Sequence, residues 1–130
     1  GSKETWKSTN SGVSFTSIND SFGGNGNAKA ITSNSLNELF IVEGTAKVFK
    51  STDSGVTWGL VNSDYNGAIG NDATDMFSNS SDGLFILHNQ DLWQSVDSGV
   101  TWVLASDDFN EAGDSHSGIV MFIDESDYIF

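Results

Sequence analysis

A repeat of 43 to 44 residues constrains the fold of this chain more than any other feature. A nine-residue segment recurs almost unchanged 44 residues further along, and a weaker copy lies 43 residues before it. In chain order the copies are Lys7-Ser8-Thr9-Asn10-Ser11-Gly12-Val13-Ser14-Phe15, Lys50-Ser51-Thr52-Asp53-Ser54-Gly55-Val56-Thr57-Trp58 and Gln94-Ser95-Val96-Asp97-Ser98-Gly99-Val100-Thr101-Trp102. Periods of about 40 to 45 residues are typical of proteins built from repeated four-stranded sheets.

The residues around these nonapeptides repeat as well, so the whole unit is duplicated. The run from Leu39 to Val42 resembles the run from Leu84 to Leu87, and a similar run begins at Tyr128. Fourteen glycines and no proline favour short strands joined by tight turns. We predict an all-β fold with strand A at 28–33, 73–78 and 118–124, strand B at 39–43, 84–88 and 128–130, strand C at 46–51, 90–95 and 3–8, and strand D at 56–61, 100–105 and 13–18.

The nonapeptide suits the turn between strands C and D. An Asp side chain accepts hydrogen bonds from nearby backbone N–H groups, Gly tolerates a positive φ, and Val and Thr restart a strand. Asn10 keeps an acceptor oxygen where the other copies have Asp. We predict a structural role for the residues that define the turn: Ser8, Asn10, Gly12, Phe15, Ser51, Asp53, Gly55, Thr57, Trp58, Ser95, Asp97, Gly99, Thr101 and Trp102.

The pattern Ser-x-Asp-x-Gly-x-Thr-Trp resembles the Asp-box, or BNR repeat, of sialidases, sortilin-type receptors and photosystem assembly factors. The resemblance covers essentially the whole chain and implies a β-propeller. It also implies that the Asp-boxes lie on the face away from the ligand, so Asp53 and Asp97 are structural. We therefore expect residues 1–130 to form one propeller domain, with blade halves at 1–18 and 118–130 and full blades at about 28–61 and 73–105.

Three repeats leave open edges, because closed propellers have four to eight blades and each blade is covered only by its neighbours. Residues 118–130 carry strands A and B of a blade, and residues 3–18 carry strands C and D. Two copies could therefore complete each other and close a six-bladed ring as a homodimer. The alternative is that the chain is a fragment of a longer propeller.

Charge and composition exclude several functions. A formal net charge of −13 repels nucleic acid and anionic membranes. The chain has no arginine, which disfavours a sialidase, because Lys lacks the planar fork that binds a carboxylate. Without cysteine, and with His88 and His116 predicted in exposed loops, we expect no metal site and no cofactor. No pair of carboxylates is singled out as catalytic, so we expect a protein that is not an enzyme.

An aromatic residue recurs seven positions after each nonapeptide, and acidic and amide residues surround it. Such a platform suits a sugar, whose apolar face stacks on the ring while its hydroxyls bond to side-chain oxygens. The candidate ligand-binding residues are Phe22, Tyr65, Phe109, Asp20, Asp64, Asp108, Asn66 and Asn110. The alternative is that each ring only anchors its loop.

We therefore expect a non-catalytic module that binds glycan, outside the cytoplasm or on a virion or cell surface. A glycoside hydrolase, or a fragment of one, and a protein-assembly scaffold are the alternatives.

Overall fold

The computed structural model describes residues 3–67, 73–89, 91–107, 123–124 and 126–129. Over these residues the chain is all β, as predicted, and no helix is present that is long and apolar enough to cross a membrane. The strands are β1 (Thr5–Lys7), β2 (Thr16–Asn19), β3 (Ala28–Ser33), β4 (Leu39–Glu43), β5 (Val48–Ser51), β6 (Gly59–Asn62), β7 (Ala73–Ser78), β8 (Leu84–His88), β9 (Asp91–Ser95) and β10 (Val103–Ser106).

These strands form three antiparallel sheets in which sheet order follows chain order. The first sheet contains β1 and β2, the second contains β3 to β6, and the third contains β7 to β10. Beyond the third sheet, Ile123 bridges Ile129 and closes a short hairpin, the 123–129 hairpin. The described chain therefore consists of two complete four-stranded units with a two-stranded piece on either side.

The core lies between sheets, because the second strand of each complete unit is apolar and buried on both faces. One buried cluster joins the second and third sheets through Phe40, Val48, Met76 and Ile86. A second cluster joins the loop after the first sheet to the second sheet. A third cluster joins the third sheet to Ile123 and Ile129 of the hairpin. Each sheet is thus stabilised by its neighbours, with about 25 cal/mol gained per Å² of buried apolar surface.

The structure confirms strands A and B of the two complete units at the predicted residues and shifts strands C and D. Strand D of the second sheet begins at Gly59 instead of 56, because the N–H groups of Gly55, Val56 and Thr57 bond back into the turn. Strand C begins at Val48 instead of 46, because Ala46 lies in a tight turn with φ of +62°.

The third strand B was predicted one residue too early. The bridge from Ile123 to Ile129 matches the pairing of Ser78 with Leu84, so Ile129 holds the place that the sequence analysis gave to Tyr128. Most of the predicted third strand A, at 118–124, lies outside the described residues.

Packing between sheets predicts unequal costs for the same substitution at two leucines. Leu84 is fully buried, whereas Leu36 is 72% exposed. We expect Leu84→Ala to lower the free energy of unfolding by about 2–5 kcal/mol and Leu36→Ala to change it by less than about 0.5 kcal/mol. Chemical denaturation of both variants measures the difference. Equal effects would contradict a core located between the sheets.

Candidate functional site

The nonapeptide turn of the second sheet is held by hydrogen bonds within its own residues. Ser51 Oγ donates to Asp53 Oδ1 at 2.8 Å and accepts from Gly55 N–H at 2.9 Å. Asp53 in turn accepts from the Thr57 N–H at 2.8 Å and from the Thr57 hydroxyl at 2.6 Å. The third sheet repeats this pattern with Ser95, Asp97, Gly99 and Thr101.

These bonds explain the electrostatics of the turn. The Thr57 hydroxyl and backbone N–H, with the Ser51 hydroxyl, lower the pKa of Asp53 to about 2. The pKa of Asp97 is lowered for the same reason, chiefly by Thr101. In the first turn Asn10 Oδ1 accepts from Ser14 N–H at 2.9 Å, and its Nδ2 donates to Ser14 Oγ at 2.8 Å. An amide thus preserves the turn, as the sequence analysis expected.

The second and third turns also approach the sheet before them, and their glycines allow that approach. Gly55 and Gly99 have φ near +85°, and a Cβ atom at Gly55 would lie 3.2 Å from Ile18 of the first sheet. A Cβ atom at Gly99 would lie 3.4 Å from Val61 of the second sheet. By contrast, a Cβ atom at Gly12 would have no neighbour within 4 Å among the described residues. The first turn therefore has the shape of the others, but no sheet among the described residues packs against it.

An asparagine clip, formed by the Asn at the end of the last strand of one sheet, joins that sheet to the next. Asn19 Nδ2, at the end of β2, donates to the Val56 carbonyl of the second sheet at 2.7 Å. Asn62 Nδ2, at the end of β6, donates to the Val100 carbonyl of the third sheet at 2.9 Å. Ser106 holds the corresponding position at the end of β10.

A second link, the carboxylate latch, joins the turns between strands A and B. Asp82 accepts from the N–H and the hydroxyl of Ser35, both at 2.7 Å. Asp127 accepts from the N–H of Ser80 at 2.9 Å and from its hydroxyl at 2.7 Å. These hydrogen bonds lower the pKa of both carboxyl groups. The sequence analysis missed the latch, although its members recur at intervals of 45 residues.

The aromatic residues proposed for ligand stacking are buried where the structure describes them. Phe22 is 2% exposed and packs edge-on against Phe49. Tyr65 is 3% exposed and contacts Trp93 and Trp102. Stacking on a sugar needs an exposed ring face, so these two rings anchor their loops, which is the alternative stated above.

The polar candidates of these loops are distributed differently. Asp20 is exposed, whereas Asp64 and Asn66 are half-buried. Asp108, Phe109 and Asn110 lie outside the described residues.

His88 was predicted to be exposed and is instead 2% exposed, at the end of β8. The Tyr65 hydroxyl lies 2.6 Å and the Asn66 amide 3.1 Å from its Nδ1. Glu43 is the last residue of β4, as His88 is of β8, and it is also buried, where it accepts from Gly26 N–H and the Thr45 hydroxyl. Both polar residues hold a loop over the end of a strand. Among the described residues, no group of three or more His, Cys, Asp or Glu side chains could hold a metal ion.

Two apolar grooves lie beside the edge of β1 that pairs with no strand in the described residues. One groove of about 270 Å³ is lined by Trp6, Ile18, Ile31, Asn37 and Leu39, among others. A second, of about 280 Å³, is lined in part by Phe22 and Ile41 and shares Trp6 with the first. Trp6 and Ile31 are each 54% exposed, whereas Phe49, which matches Trp6 in the repeat, is buried. We take these two grooves and the β1 edge as the candidate binding site, the β1 groove.

Comparisons with known proteins place the fold but no family. Neither a protein-family model nor a curated protein sequence matches this chain. Among solved structures the chain is similar to YCF48, a β-propeller protein, described as "YCF48 bound to D1 peptide", with a TM-score of 0.50 and 13% identity. The match covers 76% of this chain and 31% of the YCF48 chain, so this chain spans less than a third of that structure. The likeness shows a propeller-like fold, in which the sheets correspond to blades.

The lowered pKa of Asp53 predicts acid sensitivity. The ionised form is favoured in the folded state, so its contribution to stability is present above the unfolded pKa of about 3.8 and is lost as the pH falls toward about 2. We expect Asp53→Asn to lower the melting temperature at pH 7, where the parent has the stabilising carboxylate, and to reduce the fall in melting temperature between about pH 4 and pH 2. Asp20→Asn, in an exposed loop, is the control. A pH profile of Asp53→Asn that matches the parent would contradict this role.

The burial of Tyr65 predicts that its hydroxyl contributes to stability. We expect Tyr65→Phe to lower the free energy of unfolding by about 0.5–1.5 kcal/mol, because a buried hydrogen bond to His88 is lost. Tyr128 is 66% exposed and provides the matched control, since Tyr128→Phe should have almost no effect. The measurement is urea denaturation at pH 7. A cost confined to Tyr128→Phe would contradict the anchoring role.

Proposed function

We propose that this chain is a non-catalytic, polypeptide-binding scaffold of the Asp-box propeller type, and that its first partner is a second copy of itself. Together the two copies would close a six-bladed ring. The observation that carries the proposal is that the two sides of the described chain present complementary halves of one blade. YCF48, whose fold this chain shares in part, is described as bound to a peptide, which supports a polypeptide as the class of partner.

The two halves of the blade, the first sheet and the 123–129 hairpin, form different links with their neighbouring sheets. In the described residues the first sheet consists of two outer strands, and its asparagine clip to the next sheet is formed through Asn19. The 123–129 hairpin supplies the beginning of two inner strands, and its carboxylate latch to the third sheet is formed through Asp127. One half therefore has the clip without a latch, and the other has the latch. A blade made from both halves would have both kinds of link that join the second and third sheets. Its latch would join it to the sheet before it, and its clip would join it to the sheet after it.

The β1 groove supports the same partner. Strands β4 and β5 pair within the second sheet, and the third sheet repeats this with β8 and β9, whereas β1 has no pairing strand on its other edge in the described residues. An added strand would pair with β1 and cover Trp6 and Ile31. Lys7 and Lys29 line the two grooves together with Glu4, and the turn of the hairpin carries Asp124 and Asp127. Lysines of the β1 groove would thus face carboxylates of the hairpin, despite the net charge of −13 on each chain.

The electrostatics support a non-catalytic role. A glycoside hydrolase needs a carboxylic acid whose pKa is raised so that it can donate a proton. Where the pKa of a described carboxyl group departs from its ordinary range, it is lowered by hydrogen bonds, as in Asp53, Asp82, Asp97 and Asp127, or by Lys50, as in Glu38. These groups act as hydrogen-bond acceptors that hold turns and junctions together.

The test of the proposal is the mass of the chain in solution. Light scattering on a size-exclusion column should give about twice the chain mass of 13.9 kDa at micromolar concentration. A mass of one chain across that range would overturn closure by a second copy and would favour strands supplied by a longer parent protein.

Two equally exposed residues on one face of the second sheet allow a test of where the proposed interface lies. Ile31 and Leu60 are 54% and 53% exposed, and the cross-strand pairs place both on the face that contains Ile41 and Phe49. Ile31 lies on the inner strand facing the β1 groove, whereas Leu60 lies on the outer strand. We expect Ile31→Glu to give monomers and Leu60→Glu to remain dimeric, both still folded by circular dichroism. If Ile31→Glu dimerised with the affinity of the parent, the β1 groove would be excluded as the dimer interface.

A further inference from the structure

The last strand of each sheet ends in the same irregular way. One residue before the end of the strand, the cross-strand register shifts, so that this residue forms a β-bulge. The bulge residues are Ile18, Val61 and Ala105. The next residue in each strand occupies the clip position, which is held by Asn19, Asn62 and Ser106.

Within the chain, this strand end receives the nonapeptide turn of the following sheet. At the first junction, a Cβ atom at Gly55 would lie 3.2 Å from Ile18. The Val56 carbonyl of the same turn accepts the hydrogen bond from Asn19. The next junction repeats both contacts, through Val61 with Gly99 and Asn62 with Val100. Each junction therefore combines an apolar contact from the bulge residue with a hydrogen bond from the clip residue.

The third sheet has the same strand end, but both of its residues are smaller. Ala105 is exposed and has less apolar surface to bury than the branched side chains at the other two bulges. The hydroxyl of Ser106 is one bond closer to the backbone than an asparagine amide, so it does not reach as far. Among the described residues, no nonapeptide turn packs on this strand end, because the second turn packs on the first sheet and the third turn on the second sheet.

The first nonapeptide turn, residues 7–15, has the surface that fits this strand end. Val13 is 84% exposed, whereas the equivalent Val56 and Val100 are 50% and 54% exposed in the turns that pack on a sheet. The difference corresponds to the cover that a preceding sheet provides. The described chain thus contains one turn without a strand end and one strand end without a turn.

We propose that the first nonapeptide turn of one copy docks on the end of β10 of a second copy, and that Ala105 and Ser106 make this junction the weakest in the ring. This inference rests on the proposed closure of the ring. The Val13 carbonyl would face Ser106, and Gly12 would face Ala105, as their equivalents do at the two junctions within the chain. Because both contacts are reduced only between copies, the ring would open at this junction while each chain remains folded.

Restoring the larger residues tests the proposal. Ala105→Val combined with Ser106→Asn gives the third sheet the residues of the second. This double variant should tighten dimerisation by about tenfold or more, because each ring contains the junction twice. Ser63→Asn, at an exposed position next to Asn62, adds the same amide elsewhere and should leave the affinity unchanged. Affinities are measured by analytical ultracentrifugation.

Two equally exposed valines test the docking turn. Val13 is 84% exposed, and Val96 of the third turn is 81% exposed. Val13→Asp should weaken dimerisation by about tenfold or more, because a carboxylate would be buried against β10 without a partner. Val96→Asp should have no such effect, since the third turn already packs on the second sheet. Circular dichroism should show both variants folded, because both side chains are exposed in the chain.

The outcomes separate this inference from the proposed function. If the parent dimerises and the double variant has the same affinity, β10 does not receive the turn, and the closed ring stands on the β1 groove. If the parent and the double variant are both monomeric at all accessible concentrations, the ring is wrong and this junction with it. A dimer formed only by the double variant would support docking on β10 and would exclude the ring as the state of the parent.

Discussion

The structure depends on burial of both faces of each sheet by neighbouring sheets. Strands β4 and β8 have no polar face, since every residue of β8 and all but the first of β4 are buried, including Glu43 and His88 at their ends. A sheet of this kind cannot be stable alone in water, because one covered face would leave the other exposed. Consecutive sheets must therefore stack. Apolar surface stays uncovered at the two ends of the described stack, at the first sheet and at the 123–129 hairpin. The first sheet has only two strands among the described residues, which leaves Trp6, and Ile31 of the second sheet beside it, exposed.

Polar links fix how the stacked sheets meet. Hydrophobic contact is non-directional, so it does not by itself determine the registration of one sheet on the next. The asparagine clip acts at the end of the last strand of a sheet, and the carboxylate latch acts at the turn between its first two strands. Two directional contacts at opposite ends of a junction determine how one sheet is rotated relative to the next, as well as the distance between them. The chain has few cationic side chains that could form ion pairs between sheets. Small polar side chains, Ser, Asn and Asp, are abundant and form these links instead.

Much of the fold could be predicted from the sequence, and much of the site could not. The repeat gave the strand order and the limits of β3, β4, β7 and β8, because apolar runs bounded by turn residues are local signals. The burial of Phe22, Tyr65 and His88 was not visible, because it depends on how a loop folds back over the next sheet. The sequence pattern of an aromatic residue flanked by Asp and Asn is the same whether its ring points to solvent or into the core. The latch from Asp82 to Ser35 joins residues 47 positions apart, and no local pattern marks that contact.

The first nonapeptide turn is already organised although nothing in the described chain packs against it. Ser8, Asn10, Gly12 and Ser14 satisfy one another through bonds that span no more than four residues. Its backbone follows that of the covered turns, with positive φ at Ser11 and Gly12 as at Ser54 and Gly55. A surface that is ordered before contact loses little conformational entropy when a partner arrives. Association at this turn would therefore resemble the meeting of two rigid bodies, with affinity determined by the fit of the surfaces rather than by the cost of folding a loop.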